Sequence, residues 1–152
     1  MIIPADKSHL HMFVEIYNSA TSLFAEELRA DATMETFIPQ FEQDNNMIEL
    51  QDGNVGRAFM SYRTCGTYCA LTSLYVRKEY QRQGLGMELL CFFEAQIPKG
   101  GAAFIKVLKN APWSIEFYKK NGYMPLIPEM ASAASSLGLE EKPWSMILYK
   151  EF

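Results

Sequence analysis

Apolar residues at Leu10, Phe13, Val14, Tyr17, Ala20, Phe24 and Leu28 recur every three or four positions. This spacing predicts one face of a long first helix, capped by Asp6 or Ser8 and broken near Leu23. Residues 1–4 ahead of it read as a short strand. Residues 33–41 predict a second helix whose end Pro39 blurs. The period then falls to two. Residues 47–51 and 55–62 flank Asp52-Gly53-Asn54, a hairpin signature. Tyr68–Val76, rich in β-branched and aromatic residues, predicts a central strand. After a short basic turn, Leu85, Leu89, Leu90, Phe92 and Phe93 return to helical spacing, which carries on to about Ile97. Pro98-Lys99-Gly100-Gly101 reads as a turn and Ala102–Leu108 as a strand. A helix over 114–121 and a strand from Tyr123 follow. Residues 128–143 form an Ala/Ser-rich loop with one or two helical turns, and 144–150 close as a strand.

The chemistry concentrates where the central strand meets its helix. Gly84-Leu85-Gly86 opens that helix. A helix start presents unpaired N–H groups and the positive end of the helix dipole, a combination that binds phosphate. Glycines without a Cβ let a diphosphate approach the main chain closely. Two other phosphate loops fail on spacing. A dinucleotide fingerprint needs a third glycine where Leu89 stands, and a Walker A loop needs Lys-Ser/Thr where Met87-Glu88 stand.

Gln81-Arg82-Gln83-Gly84-Leu85-Gly86 instead resembles the Q/R-x-x-G-x-G/A signature of the GNAT N-acyltransferase superfamily. A second segment agrees. Asn110, at or just before a helix N-cap, precedes Phe117-Tyr118-Lys119-Lys120-Asn121-Gly122-Tyr123, which resembles the family's Phe-Tyr-x-x-x-Gly-Phe/Tyr pattern. Asn121-Gly122 supplies a left-handed helix stop. The predicted element order, β-α-α-β-β-β-α-β-α-β-β, is also the family's. The resemblance implies an α/β (mixed α+β) GNAT acyl-CoA N-acyltransferase fold, with a central mixed, mostly antiparallel sheet flanked by helices. Residues 1–152 are expected to form a single domain.

The resemblance further implies an acetyl-CoA-dependent N-acetyltransferase acting on a primary amine of a small molecule or peptide, the amine attacking the thioester directly. The turn from Arg82 through Gln83, Gly84, Leu85 and Gly86 to Met87 would hold the pyrophosphate. The main chain of Leu74, Tyr75 and Val76 would pair with the pantetheine arm, and Asn110 would contact it. Tyr118 would be the general acid, since a phenol with a pKa near ~10 is protonated at neutral pH and can donate to a departing thiolate. Side chains of Leu74 and Val76 are read as core. The base stays unassigned. Ala70–Val76 contains no Asp or Glu, so a carboxylate on the central strand is missing. Glu26, Glu27 and Glu49 are candidates that read better as exposed charges, and a water chain relayed by Thr72, Ser73 or Tyr75 is an equal option. The rival reading is a catalytically silent acyl-CoA-binding sensor or scaffold.

Composition narrows this only modestly. Fourteen basic and eighteen acidic residues give a net charge of −4, with no basic block to attract nucleic acid. Apolar runs are interrupted well before membrane-spanning length, and no signal-peptide core opens the chain, so a cytoplasmic protein is expected. Cys65, Cys69 and Cys91 are odd in number and lack metal-ligand spacing, which favours free thiols. His9 and His11 read as solvent-facing, and no metal is expected. A homodimer is left open. The acceptor is expected against residues 23–31 and 126–143, where no motif identifies it.

Overall fold

The computed structural model describes residues 1–22 and 32–152. Among the described residues seven strands and five α-helices follow the predicted order, the fifth helix being the helical turn expected within 128–143. The strands are β1 (Ile2–Pro4), β2 (Asn45–Gln51), β3 (Val55–Cys65), β4 (Tyr68–Val76), β5 (Ala102–Leu108), β6 (Met124–Pro125) and β7 (Ser145–Glu151). The helices are α1 (Leu10–Thr21), α2 (Met34–Gln43), α3 (Leu85–Glu94), α4 (Pro112–Lys120) and α5 (Ala131–Ser136). Strands hydrogen-bond in the order β1-β2-β3-β4-β5-β7-β6, mostly antiparallel. Residues group into two compact units. One comprises Met1–Tyr62 with Ser73–Phe92, the other Arg63–Thr72 with Phe93–Phe152.

In the first unit α1 buries Leu10, Phe13, Ile16 and Ala20, the face its periodicity predicts with Ile16 added. Phe13 is fully buried, stacks on Phe59 of β3 at 4.0 Å and meets Phe37 of α2 edge-on at 6.0 Å. Aromatic pairs of this kind add about 0.5–1.5 kcal/mol beyond area burial. The β2–β3 hairpin turns through Asp52 and Gly53, both with positive φ. Helix α2 runs through Pro39 to Gln43, beyond the predicted end. Pro39 is exposed, so the carbonyl it leaves unbonded can be hydrated. His9 corrects the solvent-facing expectation: its Nδ1 accepts the Asp6 N–H at 3.1 Å, and its side chain is 17% exposed.

In the second unit β5 lies between parallel β4 and antiparallel β7. Phe104, Ile147, Leu137 and Tyr149 anchor its core. The β4–β5 ladder covers Tyr68↔Ala102 to Leu71↔Ile105, and Thr72–Val76 continue beyond it. Helix α3 stops at Glu94, short of the predicted Ile97, because Gln96 and Ile97 N–H groups bond only three residues back, at 3.0 and 3.1 Å, ahead of Pro98. The strand expected from Tyr123 is the two-residue β6. Helix α4 begins at Pro112, two residues ahead of the predicted start, and ends at Lys120, one short of the predicted Asn121, with the expected stop at Gly122. Gly122 has φ 93°, and the N–H groups of Gly122 and Tyr123 donate to Lys119 O and Tyr118 O at 3.1 Å each. This is the paired-bond left-handed stop that glycine permits.

Candidate active site

The signature turn is built on a braced platform in the first unit. Arg77 N–H donates to Arg57 O at 2.8 Å, and Lys78 N–H to Ser19 Oγ at 2.9 Å. The Arg77 guanidinium reaches Glu15 of α1 at 2.8 Å. Gln81 Nε2 then donates to Val76 O at 3.1 Å, closing a loop between the end of β4 and the start of the signature. Gln81 and its bracing partners are absent from the sequence-based site. Only Gln81 carries a signal there, as the first residue of the motif.

Beyond this clip the main chain turns into left-handed space twice, at Arg82 (φ 64°) and Gly84 (φ 85°). For arginine that region costs on the order of 1 kcal/mol, and such outliers gather at functional turns. The first bond closing α3 is Glu88 N–H to Gly84 O at 3.0 Å. The N–H groups of Leu85, Gly86 and Met87 therefore lie at the free start of the helix, where about half a positive charge resides. Arg82, Gln83, Gly84 and Met87 are exposed, Gly86 is half-buried, and Leu85 sends its side chain into the core. A Cβ on Gly84 would meet no atom within 4 Å. Glycine is needed there for its positive φ, and the space beside it is open.

Leu74, Tyr75 and Val76 are half-buried, so Leu74 and Val76 are less sealed than the core reading expects. Tyr75 lies edge-on to Tyr17 at 4.9 Å and tilted to Phe59 at 5.5 Å. Burial, with a smaller contribution from Tyr17, pushes its phenol well above the ordinary value.

The second unit carries Asn110 and Tyr118. Asn110 is exposed and precedes the N-cap, which is Ala111, and no side chain caps α4. Of the two placements expected for Asn110, just before the cap is correct. Tyr118 is 6% exposed, with Phe117 and Tyr123 rings edge-on at 5.1 and 5.8 Å. Burial first, then the nearby Glu94 carboxylate and Tyr118, raise the Tyr123 phenol far above its usual range. Glu94 itself pairs with Lys150 at 3.0 Å.

Among the candidate bases, Glu49 is not an exposed charge. It is 1% exposed, and Arg57 donates to it from Nε at 2.7 Å and again from the second guanidinium nitrogen. Burial works to raise its pKa, but hydrogen bonds from Arg57 and the Met1 amine outweigh that and hold it below the ordinary value. A carboxylate so held is a poor proton acceptor. Arg57 also packs over the Tyr80 ring at 5.7 Å, bracing the turn ahead of the signature. Glu26, Glu27 and the acceptor region 23–31 lie outside the described residues. Ser73 is half-buried and donates to Gln40 Oε1 at 3.0 Å. Cys65 and Cys91 are exposed and Cys69 is buried, all three as free thiols. Among the described residues no cluster of three or more His, Cys, Asp or Glu side chains could hold a metal, and no helix is long and apolar enough to cross a membrane.

The acetyltransferase (GNAT) domain profile matches residues 42–125, more than half of the chain and both motif segments. The chain belongs to the GNAT acetyltransferase family. Its fold is similar to solved family structures over their full length. The PaiA N-acetyltransferase of Thermoplasma acidophilum, in complex with coenzyme A, is 14% identical with a TM-score of 0.71, covering 100% of this chain and 98% of that one. An acetyltransferase of Thermus thermophilus is 15% identical with a TM-score of 0.76, covering 100% and 96%. A ribosomal-protein-alanine N-acetyltransferase of Brucella melitensis is 16% identical with a TM-score of 0.66, covering 100% and 99%. At these identities the likeness is one of fold. No curated protein matches the sequence.

Proposed function

We propose that this GNAT protein is an acetyl-CoA-dependent N-acetyltransferase of a primary amine on a small molecule or peptide, residues 1–152 serving as one catalytic domain. One observation carries the reading: an exposed, left-handed turn at Arg82 and Gly84 opens α3, so that the Leu85, Gly86 and Met87 amides begin the helix beside open space. That arrangement fits a diphosphate. The bound coenzyme A named for the Thermoplasma neighbour supports the choice of acyl carrier. Arg82 and Gln83 flank the diphosphate, and the main chain of Leu74, Tyr75 and Val76 holds the pantetheine amides, with Asn110 as a further contact to the arm.

The amine nitrogen forms a bond to the thioester carbonyl carbon, and the C–S bond breaks onto sulfur. Tyr118 O–H supplies the proton that sulfur takes up and is reprotonated from water. The nitrogen sheds one proton to water, no side chain being assigned as base. Three free thiols fit the reducing cytoplasm.

The test combines binding and turnover. Millimolar acetyl-CoA should raise the thermal midpoint, by linkage to the folded state. Thiol release should then follow with at least one member of a panel of amino acids, polyamines, aminoglycosides and peptides with a free amino terminus. Absence of binding removes the reading. Binding without release across the panel favours the silent acyl-CoA sensor, a second reading that the occupied Glu49 and the lack of a carboxylate on β4 keep in play.

A further inference from the structure

Four side chains of the first unit form a hydrogen-bonded row with a fixed sense. Asn46 of β2 sets it. Its Nδ2 donates to Asp44 O at 2.9 Å and Gln40 O at 3.4 Å. Main-chain carbonyls only accept, so this amide cannot be turned over, and its Oδ1 must be an acceptor. Ser61 of β3, 0% exposed, therefore commits its single proton to Asn46 Oδ1 at 2.6 Å. Ser61 in turn accepts from Gln40 Nε2 of α2 at 2.6 Å. That directs Gln40 Oε1 to Ser73 of β4, whose hydroxyl donates to it at 3.0 Å. Each step leaves the next group one option. Ser73 at the end of the row has used its only proton and retains lone pairs, and it is half-buried, not sealed. Any further partner of Ser73 has to be a donor.

We propose that Ser73 accepts an N–H of the acceptor amine and so orients its lone pair for attack, with Gln40, Ser61 and Asn46 as positioning residues. This rests on the N-acetyltransferase reading above. A neutral primary amine offers two N–H donors and one lone pair. One N–H given to Ser73 leaves the lone pair free to form the N–C bond as the C–S bond breaks. Sulfur gains a proton, nitrogen loses one to water, and Ser73 keeps its own throughout. The polar row thus compensates in orientation for what β4 lacks in basicity. Ser73 fixes the nucleophile without deprotonating it, so the acidity of the acceptor's own ammonium ion, not of any side chain on β4, sets the pH at which turnover rises.

The test uses the panel amine with the highest kcat/KM, with acetyl-CoA affinity measured separately by calorimetry. Ser73→Ala should raise the amine KM and lower kcat/KM about tenfold, the scale of one hydrogen bond, with acetyl-CoA Kd within about twofold. Ser73→Thr, which retains an acceptor oxygen, should restore most of the loss. Ser73→Cys, a weak acceptor of similar size, should resemble Ser73→Ala and makes the same comparison should the alanine variant fold poorly. Gln40→Met frees the Ser73 hydroxyl to rotate and should fall between. The pH at which kcat/KM rises should stay in place in every variant. An unchanged amine KM in both Ser73→Ala and Ser73→Cys overturns the proposal. So does a weakened acetyl-CoA Kd in its stead, which would turn Ser73 toward the coenzyme arm. A wild-type protein that turns over no amine fails the acetyltransferase reading itself, before any variant is made.

Discussion

The helices that follow β4 and β5 begin in opposite ways. Helix α3 starts from an exposed glycine with positive φ, and the space around that glycine is empty. Helix α4 starts from Ala111, 4% exposed, followed by Pro112, which has no N–H to offer. Its first turn closes on itself: Ala111 N–H returns to Leu108 O at 3.1 Å, and Ser114 and Ile115 N–H groups return to Ala111 O at 3.0 and 3.3 Å. The interest of α4 lies further along, in buried Tyr118 and the stop at Gly122. One strand–turn–helix unit keeps its main chain available, and the other buries a single helical side chain, Tyr118. Substitutions should therefore hurt the first through backbone conformation and charge, and the second through single functional groups.

Tyr118→Phe tests the buried side chain of α4 most severely. It keeps the ring and its contacts with Phe117 and Tyr123 and removes the hydroxyl. The single-turnover rate should fall about 10²–10⁴-fold with acetyl-CoA Kd nearly unchanged. A wild-type rate would make Tyr118 a packing residue and solvent the proton donor.

Gly84→Asp tests the open helix. A carboxylate about 4 Å from a diphosphate charge costs about 4 kcal/mol at an effective dielectric near 20, or roughly 10³ in Kd. Gln83→Ala, which spares the backbone, should change the same Kd by less than about threefold. Equal sensitivity to the two changes would erase the distinction drawn between backbone and side-chain sites.

Glu49→Gln asks whether the platform under the open helix depends on its buried ion pair. Removing one charge should cost about 2–3 kcal/mol at neutral pH, read from urea unfolding. Because the Glu49 pKa is depressed on folding, this stabilisation is complete above its ordinary value of 4.5 and disappears as pH falls through the folded value. The gap between wild type and variant should narrow below about pH 4.5. A constant gap would assign the loss to packing.

The smallest effect belongs to Asn110→Ala. A capping asparagine would cost about 1 kcal/mol, but Asn110 is exposed one position before the cap, so stability should change by less than about 0.5 kcal/mol. Any change in acetyl-CoA Kd then reports a ligand contact and nothing else.

Periodicity made most elements legible. Tyr68–Val76 and Ala102–Leu108 match their strands end for end, because each is a run of strand-forming residues closed by turn residues. The glycine signature was legible because its requirement is a backbone conformation that few residues adopt. Glu49 was not, since its partner Arg57 stands eight positions away across a hairpin and only the register makes them neighbours. The row from Asn46 to Ser73 joins β2, α2, β3 and β4, and no local pattern marks it. Helix α3 ended three residues early where tight three-residue bonds, invisible to periodicity, decided the last turn, whereas α2 ran two residues further because Asp44 N–H still closes a full turn on Gln40 O at 2.8 Å.

The bond from Gln81 to Val76 has a kinetic corollary. Fixing the backbone of a single loop residue takes about 1–2 kcal/mol of conformational entropy. A loop already fastened across its neck has met that demand during folding. Coenzyme capture should then be a one-step encounter whose observed rate rises linearly with ligand concentration, with no plateau from a slow loop-closing step. Cutting the fastening with Gln81→Ala should bring that plateau into view.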